Sequence, residues 1–241
     1  MCFLRLDIEM IVLFFPVALC PSMKPAGAYT QLLNDLVELE PMLKLQNISE
    51  PHMRMRDREL CLRFFAMLRT SPYGFRTPVK AWLNEEIREH QNMSEDEADK
   101  LKTLFEMTAS IAWEVFGTKF CRNVRGKKAA GFLASLQLGG AADAANQEDA
   151  TEVDTSVGNG EINVAQWDTI MYSFGTRIAS CESSRMAALM SENSAAIRNE
   201  WFALVGDPAF KKSLLSNAKS VTARHEMWDE RLTRILGSGA D

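Results

Sequence analysis

The chain has 241 residues, of which 46% are hydrophobic and 24% charged. That is one domain or a domain and a half with room for a sizeable core, which excludes disorder throughout. Its 13 Gly and 8 Pro are too few for a collagen-like or linker protein, and a net charge of −5 excludes a global basic field of the kind that marks nucleic-acid binders.

Residues 1–25 stand apart. The stretch 10–20 (MIVLFFPVALC) is apolar throughout, but it is shorter than the roughly 20 residues a membrane-spanning helix needs. Ahead of it Arg5 is set against Asp7 and Glu9, where a secretory leader carries net positive charge, and Leu19 is large for a cleavage site. No stable membrane span is expected. The five Cys (2, 20, 61, 121 and 181) are odd in number and include no C-x-x-C pair. Neither a disulfide framework nor a zinc ribbon fits, and a reducing cytoplasm is the expected compartment.

From residue 26 the apolar spacing is helical almost everywhere. Tyr29, Leu32, Leu33 and Leu36 form an i, i+3, i+4, i+7 stripe, and Leu60, Phe64, Met67 and Leu68 form another. Thr77-Pro78 predicts a cap followed by Pro at the first helical position, with Val79, Trp82, Leu83 and Ile87 facing inward. Ser94 with Glu97 has the form of a capping box, and Gly117 is placed to end the long helix behind it. Cys61, inside an apolar pattern, reads as a small buried thiol.

Residues 137–160 (QLGGAADAANQEDATEVDTSVGNG) contain five acids, four Gly and no basic residue. This predicts a solvated, flexible acidic loop. Helices resume at Ile162, with Val164, Trp167, Met171, Phe174 and Ile178 on one face. Asp207-Pro208 repeats the cap-plus-Pro signal, and a last helix from about Ser220 turns Val221, Trp228, Leu232 and Ile235 inward.

Chemistry-bearing patterns are sparse. His52, His90 and His225 have no metal-ligand spacing. His90 ends a helix, where it complements the dipole, and His225 reads as a packed helix histidine. Nucleophile-elbow, P-loop and dinucleotide glycine patterns are absent and no metal site or cofactor is expected, while a paired-carboxylate site stays open because acids are common on every helix. Glu85-Glu86 and Asp96-Glu97 read as solvated faces and first-turn acids. Two basic clusters remain. One holds Arg54, Arg56, Arg58 and Arg63, with Glu59 and Arg63 an i, i+4 pair in the favourable order. The other, residues 119–128, places Lys119, Arg122, Arg125, Lys127 and Lys128 within ten positions as a candidate phosphate grip, against the blander reading of a solvated loop.

The segment 52–68 (HMRMRDRELCLRFFAML) resembles a signature of the GmrSD-type, ParB-like nuclease family (domain of unknown function 262). The shared pattern falls on Arg54, Met55, Asp57, Glu59, Leu62, Arg63, Phe64 and Ala66. Gly27-Ala28-Tyr29 before it resembles the preceding family helix, and Lys80-Ala81-Trp82-Leu83-Asn84 the following one. Val115-Phe116-Gly117 with Phe120-Cys121-Arg122 resembles a family turn. Glu161-Ile162-Asn163 resembles the restart after a variable insert, and Arg224 and Arg231 fit the last helix. The succession runs in order over about residues 26–236.

The family's N-terminal ParB-like domain carries an Asp-Gly-Gln-Gln-Arg motif that this chain does not contain. The resemblance therefore implies a non-catalytic helical portion of a nuclease that restricts foreign DNA, serving as scaffold or partner for a nuclease domain or subunit. In that role Arg54, Met55, Asp57, Glu59, Arg63 and Phe64 would form a structural or interface signature. Buried Arg–carboxylate pairing would order the domain, and a body parted from its partner would expose an apolar patch. The rival is a stand-alone helical module that binds nucleic acid or protein.

The expected fold is all-α, an irregular multi-helix bundle. It divides into an apolar N-terminal segment (1–25), a helical subdomain with the signature (26–136), the acidic loop (137–160) and a C-terminal helical subdomain (161–241).

Overall fold

A computed structural model of the protein describes residues 27–51, 56–122, 162–180 and 182–237. The N-terminal segment and the acidic loop lie outside the described residues. So do Arg54, Met55, Arg125, Lys127 and Lys128.

The fold is all-α. The described residues form ten α-helices: α1 (Ala28–Val37), α2 (Glu40–Gln46), α3 (Arg56–Thr70), α4 (Val79–His90), α5 (Glu95–Phe116), α6 (Val164–Ser180), α7 (Ser183–Glu192), α8 (Ser194–Gly206), α9 (Pro208–Lys212) and α10 (Ala218–Leu236). Short 3-10 turns cover Pro72–Gly74 and Gly117–Lys119. Among the described residues the only β-type pairing is an isolated antiparallel bridge between Arg122 and Ile162. No described helix is long and apolar enough to cross a membrane.

Local sequence sets the helix ends. Ser94 Oγ accepts a hydrogen bond from the Glu97 amide at 3.2 Å, and Gly117 at φ +55° closes α5. The capping box is one-sided, because the Glu97 carboxylate turns to Arg69 on α3. Asp207 accepts from the Ala209 amide at 2.7 Å with Pro208 in the first turn of α9, and Asn217 accepts from Ser220 to start α10. Helix α4 begins one residue later than Thr77-Pro78 suggests, with Pro78 itself in the cap position. Helix α2 is not signalled by apolar spacing. Its seven residues carry Pro41 in the first turn and stop at Asn47 in the left-handed region (φ 55°), while Met42 and Leu45 seal it to the core.

One hydrophobic cluster gathers side chains from residue 29 to residue 236. Its centre is aromatic. Phe64 on α3 meets Phe65 and Phe105 edge-on at 5.1 and 5.3 Å, and Trp201 on α8 meets Trp228 on α10 at 4.9 Å. Such pairs add about 0.5 to 1.5 kcal/mol beyond their area burial.

Helices α3 and α6 come together closely at Gly175, where an added Cβ would stand 2.7 Å from the Phe64 ring. Phe64 is hemmed in by Phe65 and Phe105, so the ring has little room to yield. Gly175→Ala gains about 1 kcal/mol of helix propensity but overpacks the core at about 1 to 3 kcal/mol. The expected result is a net loss of about 1 kcal/mol, read as a lower urea midpoint. A raised midpoint would show that the contact is not tight.

Candidate functional site

The signature helix turns two of its charged side chains, Asp57 and Arg63, inward. Arg63 lies in the middle of α3, is only 6% exposed, and points at Asp168 in the first turns of α6, which is 1% exposed. The pairing is bidentate: Arg63 Nε donates to Asp168 Oδ1 at 3.0 Å and Nη2 to Oδ2 at 2.5 Å. Arg224 of α10, 1% exposed, approaches the same carboxylate with Nη2 3.7 Å from Oδ2. Its Nη1 donates to the backbone carbonyls of Ser213 and Leu215, both at 3.2 Å. One carboxylate thus sits between two guanidiniums from helices far apart in sequence.

Electrostatics separate the two arginines. Burial works against the Arg63 charge, but the bidentate carboxylate outweighs it and raises the pKa above the ordinary value. Arg224 is pulled down to about 10, first by burial, with Asp168 opposing from its longer distance and Arg63 adding repulsion. Both remain cationic at neutral pH.

Neighbouring contacts hold the junction in register. Trp167, beside Asp168, donates its indole N–H to the Leu60 carbonyl on α3 at 3.1 Å. Trp228 donates to Ser173 Oγ at 2.8 Å, linking α10 to α6, and Ser173 passes a hydrogen bond to the Ile170 carbonyl. The start of α6 is fixed from outside. Asn163 donates its amide to the Cys121 carbonyl at 2.8 Å, and its side chain caps the Gln166 amide at 3.2 Å. With the Arg122–Ile162 bridge, this stitches together the two stems of the stretch 123–161. The entropy of closing such a stretch grows only slowly with its length, so an insert can vary there without disturbing the helices.

The other signature residues divide. Asp57 is buried in the first turn of α3, where a carboxylate complements the helix dipole, and Phe64 is buried in the core. Glu59 is exposed, and its carboxylate stays 3.8 Å from Arg63, so the i, i+4 pair is the weaker of the two contacts Arg63 makes with acids. In the second basic cluster Lys119 is exposed at the end of the Gly117–Lys119 turn that follows α5. Arg122 is half-buried and donates to the Leu45 carbonyl at 3.0 Å. Desolvation lowers its pKa, Cys121 works the other way, and Arg56 adds repulsion. Arg56 itself donates to the Ile162 carbonyl at 3.3 Å.

Two readings from sequence change. Glu86 is not on a solvated face: it is 5% exposed and accepts from the Tyr29 hydroxyl at 2.8 Å and from Arg69 Nε at 2.9 Å. Burial, followed by the Glu86 charge and hydrogen bond, pushes the Tyr29 phenol well above its usual pKa. His90 does more than meet a helix dipole, because its ring lies edge-on to Tyr29 with Nε2 3.8 Å from Glu86.

Cys61 and Cys121 are free and buried, and burial raises both thiols far from the reactive range. Among the described residues no group of three or more His, Cys, Asp and Glu could hold a metal ion. The expected apolar patch does not appear there either: the large exposed hydrophobic side chains are Tyr73 and Leu215.

The junction can organise helices and hold charge, but its carboxylate is sealed from solvent and engaged by two arginines. No family model matches the chain, and no curated protein or solved structure does so.

Proposed function

We propose that the protein is the non-catalytic helical portion of a ParB-like restriction nuclease, a scaffold on which a nuclease domain or subunit is carried. The observation that supports this reading is where the resembling segments meet. The signature contributes Arg63, the helix after the insert contributes Asp168, and the last helix contributes Arg224. Asp57, Arg63 and Phe64 are buried, which suits residues that order a body and not residues that touch a substrate. Buried ion pairs of this kind are best justified by the arrangement they specify, since a well-packed apolar replacement is often as stable.

Large exposed hydrophobics are few among the described residues, so the surface offered to a nuclease half is polar, as interfaces between domains commonly are. The DNA around the gene tests the reading. Translated in all frames upstream of Met1 and in the adjoining genes, it is expected to encode the Asp-Gly-Gln-Gln-Arg motif. Its absence from all of them would remove the nuclease reading and leave a stand-alone helical binding module.

A further inference from the structure

From Pro208 to His225 the chain holds no acid, while Lys211, Lys212, Lys219 and Arg224 are basic. This stretch forms α9, the loop 213–217 and the first turns of α10. Lys211, Lys212 and Lys219 are exposed, and no salt bridge joins Lys212 or Lys219 to a described carboxylate. Lys211 bends back and donates to the Gly206 carbonyl at 2.9 Å. Lys219 stands in the first turn of α10, which carries no acid. A carboxylate there would offset the positive end of the helix dipole, whereas the lysine adds to it.

Between these cations lies Leu215, 62% exposed. A lone exposed leucine is ordinary. This one is flanked by unpaired lysines, and residues 215–219 are exposed without a break. The loop is nevertheless firmly held. Phe210 anchors it in the core, the Ser213 hydroxyl donates to the Phe210 carbonyl at 2.7 Å, and Asn217 accepts from the Ser220 amide at 2.9 Å. From beneath, the buried Arg224 guanidinium donates to the carbonyls of Ser213 and Leu215. The backbone of Leu215 is thus fixed while its side chain stands in solvent.

Charge and polarity together choose the partner. Unpaired lysines call for an anionic surface, and an apolar tip calls for one with an apolar interior. A bilayer with acidic headgroups supplies both, with anionic groups at its surface and acyl chains just beneath. A nucleic-acid backbone supplies only the first, and the stretch carries no exposed aromatic or arginine side chain to stack on bases. We infer that the α9–α10 loop docks the protein on an anionic membrane surface, with Leu215 inserted and Lys212 and Lys219 against the headgroups. Glu226, the first acid along α10, lies roughly 10 Å beyond Lys219 at about 1.5 Å per residue, so its repulsion is largely screened. Asp207, on the other side, is engaged as the cap of α9. No described helix crosses a membrane, so the contact is peripheral. It does not depend on the nuclease reading.

Vesicles of phosphatidylcholine and phosphatidylserine in a two-to-one ratio are the probe, with pure phosphatidylcholine vesicles as the control. Co-sedimentation of the full chain is the readout. Each lysine contributes about fivefold at such a surface and the leucine at least about tenfold, so binding is reversible and is read at millimolar lipid. The parent is expected to bind the mixed vesicles and not the neutral ones, more weakly as salt rises. Leu215→Ser is expected to weaken binding at least about tenfold, and Lys212→Gln combined with Lys219→Gln about twenty-fivefold. All three side chains are exposed, so the urea midpoint should stay with the parent's. Residues 10–20 are apolar as well, so the variants decide which segment binds. Binding that is absent, equal on neutral vesicles or unchanged in the variants overturns the inference. Lysine-dependent binding of a DNA duplex or of polyglutamate, without binding of vesicles, overturns it in favour of a nucleic acid or an acidic protein.

Discussion

Asp168→Asn is expected to destabilise the protein by about 3 to 5 kcal/mol, because it leaves the Arg63 and Arg224 guanidiniums buried without their carboxylate. Against a usual total of about 5 to 15 kcal/mol, this is enough to unfold much of the population at moderate urea. Glu59→Gln removes the other acid near Arg63, but at an exposed position and a longer distance, and should stay within about 0.5 kcal/mol of the parent. The comparison is made by urea denaturation of the two variants beside the parent. Replacing Arg63 and Asp168 together with apolar residues should cost less than the two single changes added, because only Arg224 is then left buried without its carboxylate. An Asp168→Asn variant with the parent's midpoint would show that the junction is not what holds α3, α6 and α10 together.

The second large effect is a dependence on pH that originates at His225. Burial, reinforced by Arg224, lowers its pKa in the folded state to about 3, from an ordinary 6.5. The folded protein therefore holds this imidazole neutral where the unfolded chain takes up a proton. Its contribution to stability is complete above about pH 6.5 and is lost as the pH falls toward about 3, at up to about 1.4 kcal/mol per unit. Between neutrality and about pH 4 the loss is on the order of 3 kcal/mol. Urea midpoints measured across that range should fall more steeply for the parent than for His225→Gln, whatever the variant's stability at neutral pH. Parallel curves would show that His225 protonates without resistance from the fold.

Helical spacing and caps carried most of the architecture. Tyr29, Leu32, Leu33 and Leu36 all lie in the core, and Ser94, Asp207 and Gly117 sit at the helix ends where their chemistry places them. Helix α2 escaped because seven residues are too few for apolar spacing to register, and its stability comes from packing. The charged core was harder to read. Buried Arg–carboxylate pairing was expected along this helix without singling out Arg63, and the carboxylate that Arg63 meets is 105 residues away, with no local pattern connecting the two. A signal was present in α6, where Asp168 is the only acid and stands beside Trp167 within an apolar face. Adjacent Glu85 and Glu86 illustrate the same difficulty. Neighbours on a helix point about 100° apart, so one remains at the surface while the other reaches Tyr29 and Arg69.

Under the proposed reading, this helical body orders a nuclease assembly and performs no chemistry by itself. Plasmid cleavage and nucleotide hydrolysis, assayed with magnesium across the chromatographic peak of the purified chain, test it most directly. The account predicts no activity in any fraction of the peak. Cleavage or hydrolysis that rises and falls with the protein would contradict it.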